Sequence, residues 1–301
     1  MKIGLPKALL YYYYENLLKA FFDNLNIKYI ESNDTTLKTL KEGQNMSIDE
    51  SCLALKIYLG HIKELQSKCD AVLVPRIFSL TKDEQVCTNF NCLYDLVKNT
   101  YQNINLIDFN IDVKNHHTEK LAFLTLGQKL GKSLIESNKA YTLAKKYEQK
   151  QEQALELDGK KALKSKKEKI LIIAHPYIIK DNLIGKPIIT YLKKNNIEPI
   201  YSYYIPKHLI NFNCNEISPK IHFTMNKPHL AAFNHYKDKV KGTIILSAFP
   251  CGPDSLSNEM IIRKRKKHPV LLLTLEDLSS NTALITRLES FLDMLKGGIS
   301  L

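Results

Sequence analysis

Lys169-Ile-Leu-Ile-Ile-Ala174 is a nearly unbroken aliphatic run, preceded by a lysine-rich stretch and followed by His175-Pro176. A short β-branched run of this kind reads as a strand buried on both faces of a sheet. The chain then alternates. Amphipathic stretches at 184–195, 228–236, 256–266 and 282–295 separate strand-like runs at 199–203, 242–247 and 270–275. Strands that alternate with helices predict parallel α/β units.

The same rhythm holds upstream. A strand is expected at 2–5, a helix at 8–25, and a second strand at 28–31. Helical patterns follow at 35–42 and 52–65. Ala71-Val-Leu-Val74 gives a third strand, a helix covers 93–102, and a fourth strand is expected at 104–107. Residues 117–163 carry a helical pattern without strands, broken at Gly127, Gly131 and Ser137-Asn138, and a solvated basic linker is expected over 160–169. The expected architecture is α/β. Two flavodoxin-like lobes with mainly parallel sheets span 1–115 and 169–301, and a helical connector at 116–168 joins them.

Bulk properties narrow the function. The net charge of +12 comes almost wholly from lysine, with arginine only at 76, 263, 265 and 287. These lysines are dispersed rather than gathered into a stripe, so nucleic acid is not the expected partner. No apolar run approaches the roughly 20 residues that span a bilayer. The start, Met1-Lys-Ile-Gly-Leu-Pro-Lys7 through Glu15, reads as a first strand and helix rather than a signal peptide. A cytoplasmic location is expected, and in a reducing compartment the six cysteines are packed thiols or ligands rather than disulfides.

Sites on open parallel sheets lie beyond the carboxyl ends of the strands, and this rule sorts the cysteines. Cys251, in Ser247-Ala-Phe-Pro-Cys-Gly-Pro-Asp254, follows the strand at 242–247 and precedes a helix. Helix N–H groups there favour a thiolate. Cys87 lies in the loop after the strand at 71–74, and Cys52, in Asp49-Glu-Ser-Cys-Leu-Ala-Leu-Lys56, opens a helix. Each of the three is a candidate cluster ligand, against the plainer reading of a packed thiol. Cys69 immediately precedes a strand, on the far side of the sheet, and reads as packed. Cys92 is a possible spare ligand, and Cys214 is placed in a loop at Asn211-Phe-Asn-Cys-Asn215. No pair has the Cys-x-x-Cys spacing of zinc knuckles or ferredoxins. His61 is read as packed or as a donor to a cluster sulfide, and Arg76 as an anion site or an ion-pair partner. His175-Pro-Tyr177 is expected to face the crevice, and Asp254 to be a cap or salt-bridge partner.

Several segments together resemble a known family. Lys2-Ile-Gly-Leu-Pro-Lys-Ala-Leu-Leu-Tyr-Tyr-Tyr-Tyr14, Asp49–Lys56 with Tyr58-Leu-Gly-His61, Val74-Pro-Arg76 followed by Cys87, Ser247–Asp254, and Leu271-Leu-Leu-Thr-Leu-Glu-Asp277 with Thr286-Arg-Leu-Glu289 occur in the order seen in acyl-CoA dehydratase activase-related proteins. Relatives of that family are the catalytic subunits of 2-hydroxyacyl-CoA dehydratases. The resemblance implies Rossmann- or flavodoxin-like lobes with one [4Fe–4S] cluster held by three cysteines, matching Cys52, Cys87 and Cys251. In the dehydratases an ATP-driven activase delivers one electron to this component, and the reduced cluster generates a ketyl radical from a 2-hydroxyacyl-CoA. The resemblance thus implies low-potential one-electron chemistry or acyl-CoA activation, with an ATP-dependent activase or other electron donor as partner. A non-catalytic cluster-binding or assembly protein is the alternative. Ala54 and Thr88 stand where the family usually has proline after the first and second cysteine, which alters loop geometry without removing a ligand. The chain has no Gly-rich phosphate loop, so no ATPase activity of its own is expected.

Overall fold

The computed structural model describes residues 1–276, 278, 280 and 282–297. Asp277, the end of one segment of the family resemblance, lies outside the described residues. The chain divides into two compact units, one of residues 1–152 with His222–Thr224, the other of residues 153–221 and 225–301.

The first unit is built on strands β1 (Lys2–Leu5), β2 (Lys28–Glu31), β3 (Ala71–Ser79) and β4 (Leu106–Asp112), in the order β2-β1-β3-β4 and all parallel. Helices α1 (Tyr11–Asn24), α2 (Leu37–Asn45), α3 (Leu53–Leu65), α4 (Thr88–Asn91) and α5 (Leu93–Thr100) make the crossovers that parallel pairing requires. β3 runs past Val74, the end expected from sequence, and through Pro75 to Ser79. Pro75 is tolerated because β1 pairs with β3 only at Ile3–Ala71 and Gly4–Val72, so no ladder N–H is needed on that side further along. On the other side β3 stays in register with β4 from Val72–Leu106 onward.

Helices α6 (Glu119–Lys129) and α7 (Leu134–Leu163) follow. The break between them falls at Gly131, whose φ of +76° lets the Lys132 and Gly131 amides cap the end of α6. The expected break at Ser137-Asn138 does not occur. Ser133 and Glu136 form a capping box that starts α7 ahead of it, and Ser137 is buried where a Cβ on Gly127 would come within 2.0 Å of its hydroxyl. Lys160 and Lys161, expected in a linker, form the last turn of α7, where cations suit the carbonyl end of the helix dipole.

The second unit repeats the topology. Strands β5 (Glu168–Ile173), β6 (Ile197–Tyr201), β7 (Gly242–Ala248) and β8 (Val270–Leu275) are parallel in the order β6-β5-β7-β8. The helices are α8 (Pro176–Ile179), α9 (Gly185–Lys194), α10 (Lys207–Ile217), α11 (Lys227–Tyr236), α12 (Gly252–Lys264) and α13 (Thr282–Lys296). Leu171, Ile173, Ile200, Leu230, Phe233, Ile245 and Ile261 form its core. Cys214 is not in a loop: it lies within α10, wholly buried in this core. The Asn-rich local sequence suggested a turn, but Cys214 and Ile217 repeat at helical spacing and tertiary packing overrides the weak propensity.

The seating of α3 against α2 is set by two glycines. A Cβ on Gly43 would lie 1.6 Å from the Lys56 carbonyl oxygen, and one on Gly60 would lie 1.9 Å from the Thr39 carbonyl oxygen. Backbone meets backbone at both points, so neither clash is relieved by turning a side chain. Gly43→Ala and Gly60→Ala should each destabilise the first unit by about 1–3 kcal/mol, the usual cost of overpacking. Denaturant midpoints equal to wild type would show that the crossing is looser than described.

Candidate functional site

Within the first unit, two loops at the carboxyl end of the sheet place cysteines at helix starts. Cys52 is the N-cap of α3, with extended backbone, and its carbonyl accepts from the Leu55 and Lys56 amides at 2.9 and 3.0 Å. Cys87 is the N-cap of the short α4, and its carbonyl accepts from the Phe90 amide at 2.8 Å. The two loops meet. Asn89 Nδ2, two residues past Cys87, donates to Cys52 Sγ at 3.4 Å. An amide donor aimed at sulfur favours the thiolate over the thiol. The chain just before Cys87 is held as well, since the Gln85 amide donates to the His222 carbonyl at 2.6 Å and the Thr224 amide to the Gln85 carbonyl at 3.0 Å.

In the second unit Cys251 is the N-cap of α12, beyond the carboxyl end of β7. Its carbonyl accepts from the Ser255 amide at 3.0 Å and the Ser255 hydroxyl at 2.8 Å. Cys52, Cys87 and Cys251 are all partly exposed, and none takes part in a disulfide. Thiolates so placed gain from the positive ends of their helices, most for α3 and α12 with 13 residues each and least for the four-residue α4.

The other cysteines differ in kind. Cys69 Sγ donates to the Leu65 carbonyl at 3.2 Å and packs on Gly4, where a Cβ would come within 2.6 Å of the sulfur. Burial pushes this thiol's pKa up. Cys92 is exposed and donates to its neighbour Asn91 Oδ1 at 2.9 Å. Of the other groups, Arg76 is an ion-pair residue: its guanidinium pairs with Asp95 and lies over the Tyr94 ring, 5.0 Å from its centroid. His61 is packed, fully buried, with Nε2 3.0 Å from the Thr35 hydroxyl.

Sequence reasoning placed His175 at the crevice and read Asp254 as a cap or salt-bridge partner, but missed that the two pair within one polar cluster at the carboxyl end of the second sheet. His175 Nε2 lies 2.9 Å from Asp254 Oδ1. Asn226 Nδ2 donates to that oxygen at 2.8 Å and to Ser257 Oγ at 3.1 Å, and Ser247 Oγ donates to Asp254 Oδ2 at 3.1 Å. His229 closes the cluster, its ring centroid 4.4 Å from that of His175. All these residues are buried. Burial pushes the Asp254 carboxyl up, but His175 and the Asn226 amide more than offset it and hold the group well below the usual carboxylate range. Burial brings His229 down to about 3, so this ring is neutral. The strand-end rule could have paired His175 with Asp254 from sequence. His229 sits within α11, and nothing in its local sequence marks it.

A family model described as CoA enzyme activase uncharacterised domain (DUF2229) matches residues 2–205. Cys52, Cys87 and His175 fall inside this segment, while His229, Cys251 and Asp254 fall beyond it. No curated protein matches the chain.

The buried His61 generates a pH dependence. Burial lowers it from 6.5 to about 4, and its Nδ1 has no hydrogen-bond partner. Between those pH values the unfolded chain carries a proton at this ring that the folded chain excludes. Stability therefore falls as pH falls through the window, by about 3 kcal/mol at its lower end. His61→Gln should remove this component. Denaturant midpoints at neutral pH and near pH 4 should fall less in the variant than in wild type, and equal losses would refute a neutral buried ring.

Proposed function

Since the chain belongs to the CoA enzyme activase uncharacterised domain family, we propose that it is an iron–sulfur protein in which Cys52, Cys87 and Cys251 bind one [4Fe–4S] cluster. The observation that supports this most is the hydrogen bond from Asn89 to the Cys52 sulfur, which brings the loops of two expected ligands together. The residues fit such a group. The three chosen sulfurs sit at partly exposed helix starts, whereas Cys69 and Cys214 are committed to packing. When bound, a cluster of this type supplies one-electron transfer at a potential set by its surroundings.

The chain's own part is to hold and tune. The N-caps present thiolates to helix N–H groups. Asn89 fixes the Cys52 sulfur and lends it a donor, the kind of outer contact that orients a ligand and adjusts its electronics. Arg76 stays with Asp95 and Tyr94 and is left out of the ligand set. The chemistry this suits is low-potential electron transfer or activation of an acyl-CoA, as in 2-hydroxyacyl-CoA dehydratase components, with an ATP-dependent activase or another donor supplying the electron in the cytoplasm. No helix among the described residues is long and apolar enough to cross a membrane.

Anaerobic reconstitution tests this reading. Wild-type protein should be brown and carry about four iron and four sulfide per chain, as one cubane requires. Cys52→Ser, Cys87→Ser and Cys251→Ser should each lose most of that content. Cys69→Ser should keep it, at a modest cost in stability from a hydroxyl in a packed site. Folded wild-type protein that stays colourless would end the proposal, and equal iron in all the variants would mean the wrong ligands. A bound cluster without a reversible one-electron couple would turn the reading toward cluster holding or assembly.

A further inference from the structure

We propose that His175, His229 and Asp254 form a binding site for one zinc-type divalent cation, separate from the thiols. The three residues offer two imidazole nitrogens and a carboxylate oxygen, all within 4.8 Å of one another. Bonds of about 2.0–2.2 Å to such donors imply ligand separations of about 3.4 Å in a tetrahedral site, so small side-chain rotations bring these three donors into place and leave the fourth position to water. Two imidazoles with one carboxylate suit zinc and neighbouring transition metals. Magnesium and calcium prefer all-oxygen shells.

The position in the fold supports a ligand. The strand order β6-β5-β7-β8 reverses between β5 and β7, since β5 leads outward to β6 and β7 leads outward to β8. Crevices at such points, beyond the strand carboxyl ends, are where open α/β sheets bind ligands. His175 lies two residues past the end of β5, and Asp254 lies in the first turn of the helix after β7. His229 reaches the same point from α11.

The surroundings hold the donors as a metal needs them. His229 is hydrogen-bonded to the Ala174 carbonyl, the outer contact typical of a ligating histidine. The Ser247 hydroxyl and the Asn226 amide fix the carboxylate. A structural Asp–His pair would need only one imidazole. Here a second packs beside it, tilted by 55°, at the cost of burying another titratable ring. The cation would take the place of the hydrogen bond between His175 Nε2 and Asp254 Oδ1, with the single ring proton of the neutral imidazole then carried on Nδ1. His175 and Asp254 are 3% exposed and His229 is 4% exposed, so loading is expected during folding rather than by soaking.

The test is to produce the full chain in minimal medium supplied with zinc or cobalt. Metal content and, for cobalt, the visible spectrum are then measured. We expect about one ion per chain and the visible bands of a four-coordinate site of nitrogen and oxygen donors. The Cys52→Ser/Cys87→Ser/Cys251→Ser variant should keep this ion and its spectrum, which separates the site from the thiols and makes the result independent of any cluster. Asp254→Asn and His229→Gln should lose about tenfold or more of the content. If Asp254→Asn fails to fold, His229→Gln and the cobalt spectrum of the wild type still decide. Wild-type protein without stoichiometric metal, a cobalt spectrum dominated by thiolate charge transfer, or full metal content in His229→Gln would overturn the proposal and leave a self-contained polar network.

Discussion

Parallel pairing is the constraint on which everything else rests. In each unit all four strands run the same way, so every return passes through a helix and every outgoing loop opens at the same edge of its sheet. Helices that lead back to a strand must start at that edge too. This is why Cys52, which opens α3, and Cys87, which follows β3, lie at one edge of the first sheet although 35 residues separate them. The same geometry sets Cys251, His175 and Asp254 at the carboxyl edge of the second sheet. A helix start also carries unpaired N–H groups, so the edge that collects the loops also favours negative charge.

The two units use their carboxyl edges differently. In the first, the ends of β1 and β3 are closed by Leu5, Pro6, Leu73 and Pro75 together with Tyr11, Tyr14, Tyr58 and Phe109 around a cavity of about 20 Å³. This lining is apolar apart from tyrosine hydroxyls. Tyr11 pairs with Glu31, and the Tyr58 hydroxyl is buried without a partner in a space that admits about one water. The run at 11–14 is thus helix core and rim, not a stacking platform. In the second unit the corresponding ends of β5 and β7 are closed by hydrogen-bonded polar groups. One topology therefore supplies an apolar plug in one unit and a donor-rich pocket in the other, because the residues after each first strand are Pro6-Lys7 in one and Ala174-His175 in the other.

The fold was legible because parallel strands buried on both faces are written as continuous aliphatic runs, such as Lys169–Ala174 and Ala71–Val74. Boundaries were less so. Pro75 reads as a stop, yet it lies where β3 no longer pairs with β1, a fact that only register reveals. The Asn-rich segment around Cys214 has the local chemistry of a turn, and the helix there exists because its apolar face is buried. Among site residues, the cysteines could be sorted by strand end. The link from Asn89 to Cys52 joins loops far apart in sequence, and His229 sits in the first turn of α11 rather than at a strand end, so neither leaves a periodic or spacing signal.

Asp254 helps to set the position of Cys251. Asp254, in the first turn of α12, is tied to three other segments at once. It accepts from Ser247 at the end of β7, from Asn226 ahead of α11, and meets His175 at the end of β5. A carboxylate removed from water persists only with such compensation, and a lost partner would leave an unsatisfied buried charge. The helix start therefore has one well-determined place, and Cys251, as its N-cap, is carried with it. His175 belongs to the segment matched by the family model while Asp254 and Cys251 lie beyond it. The hydrogen bond between His175 and Asp254, together with the pairing of β5 with β7, thus couples the third candidate ligand to the strand inside the matched segment.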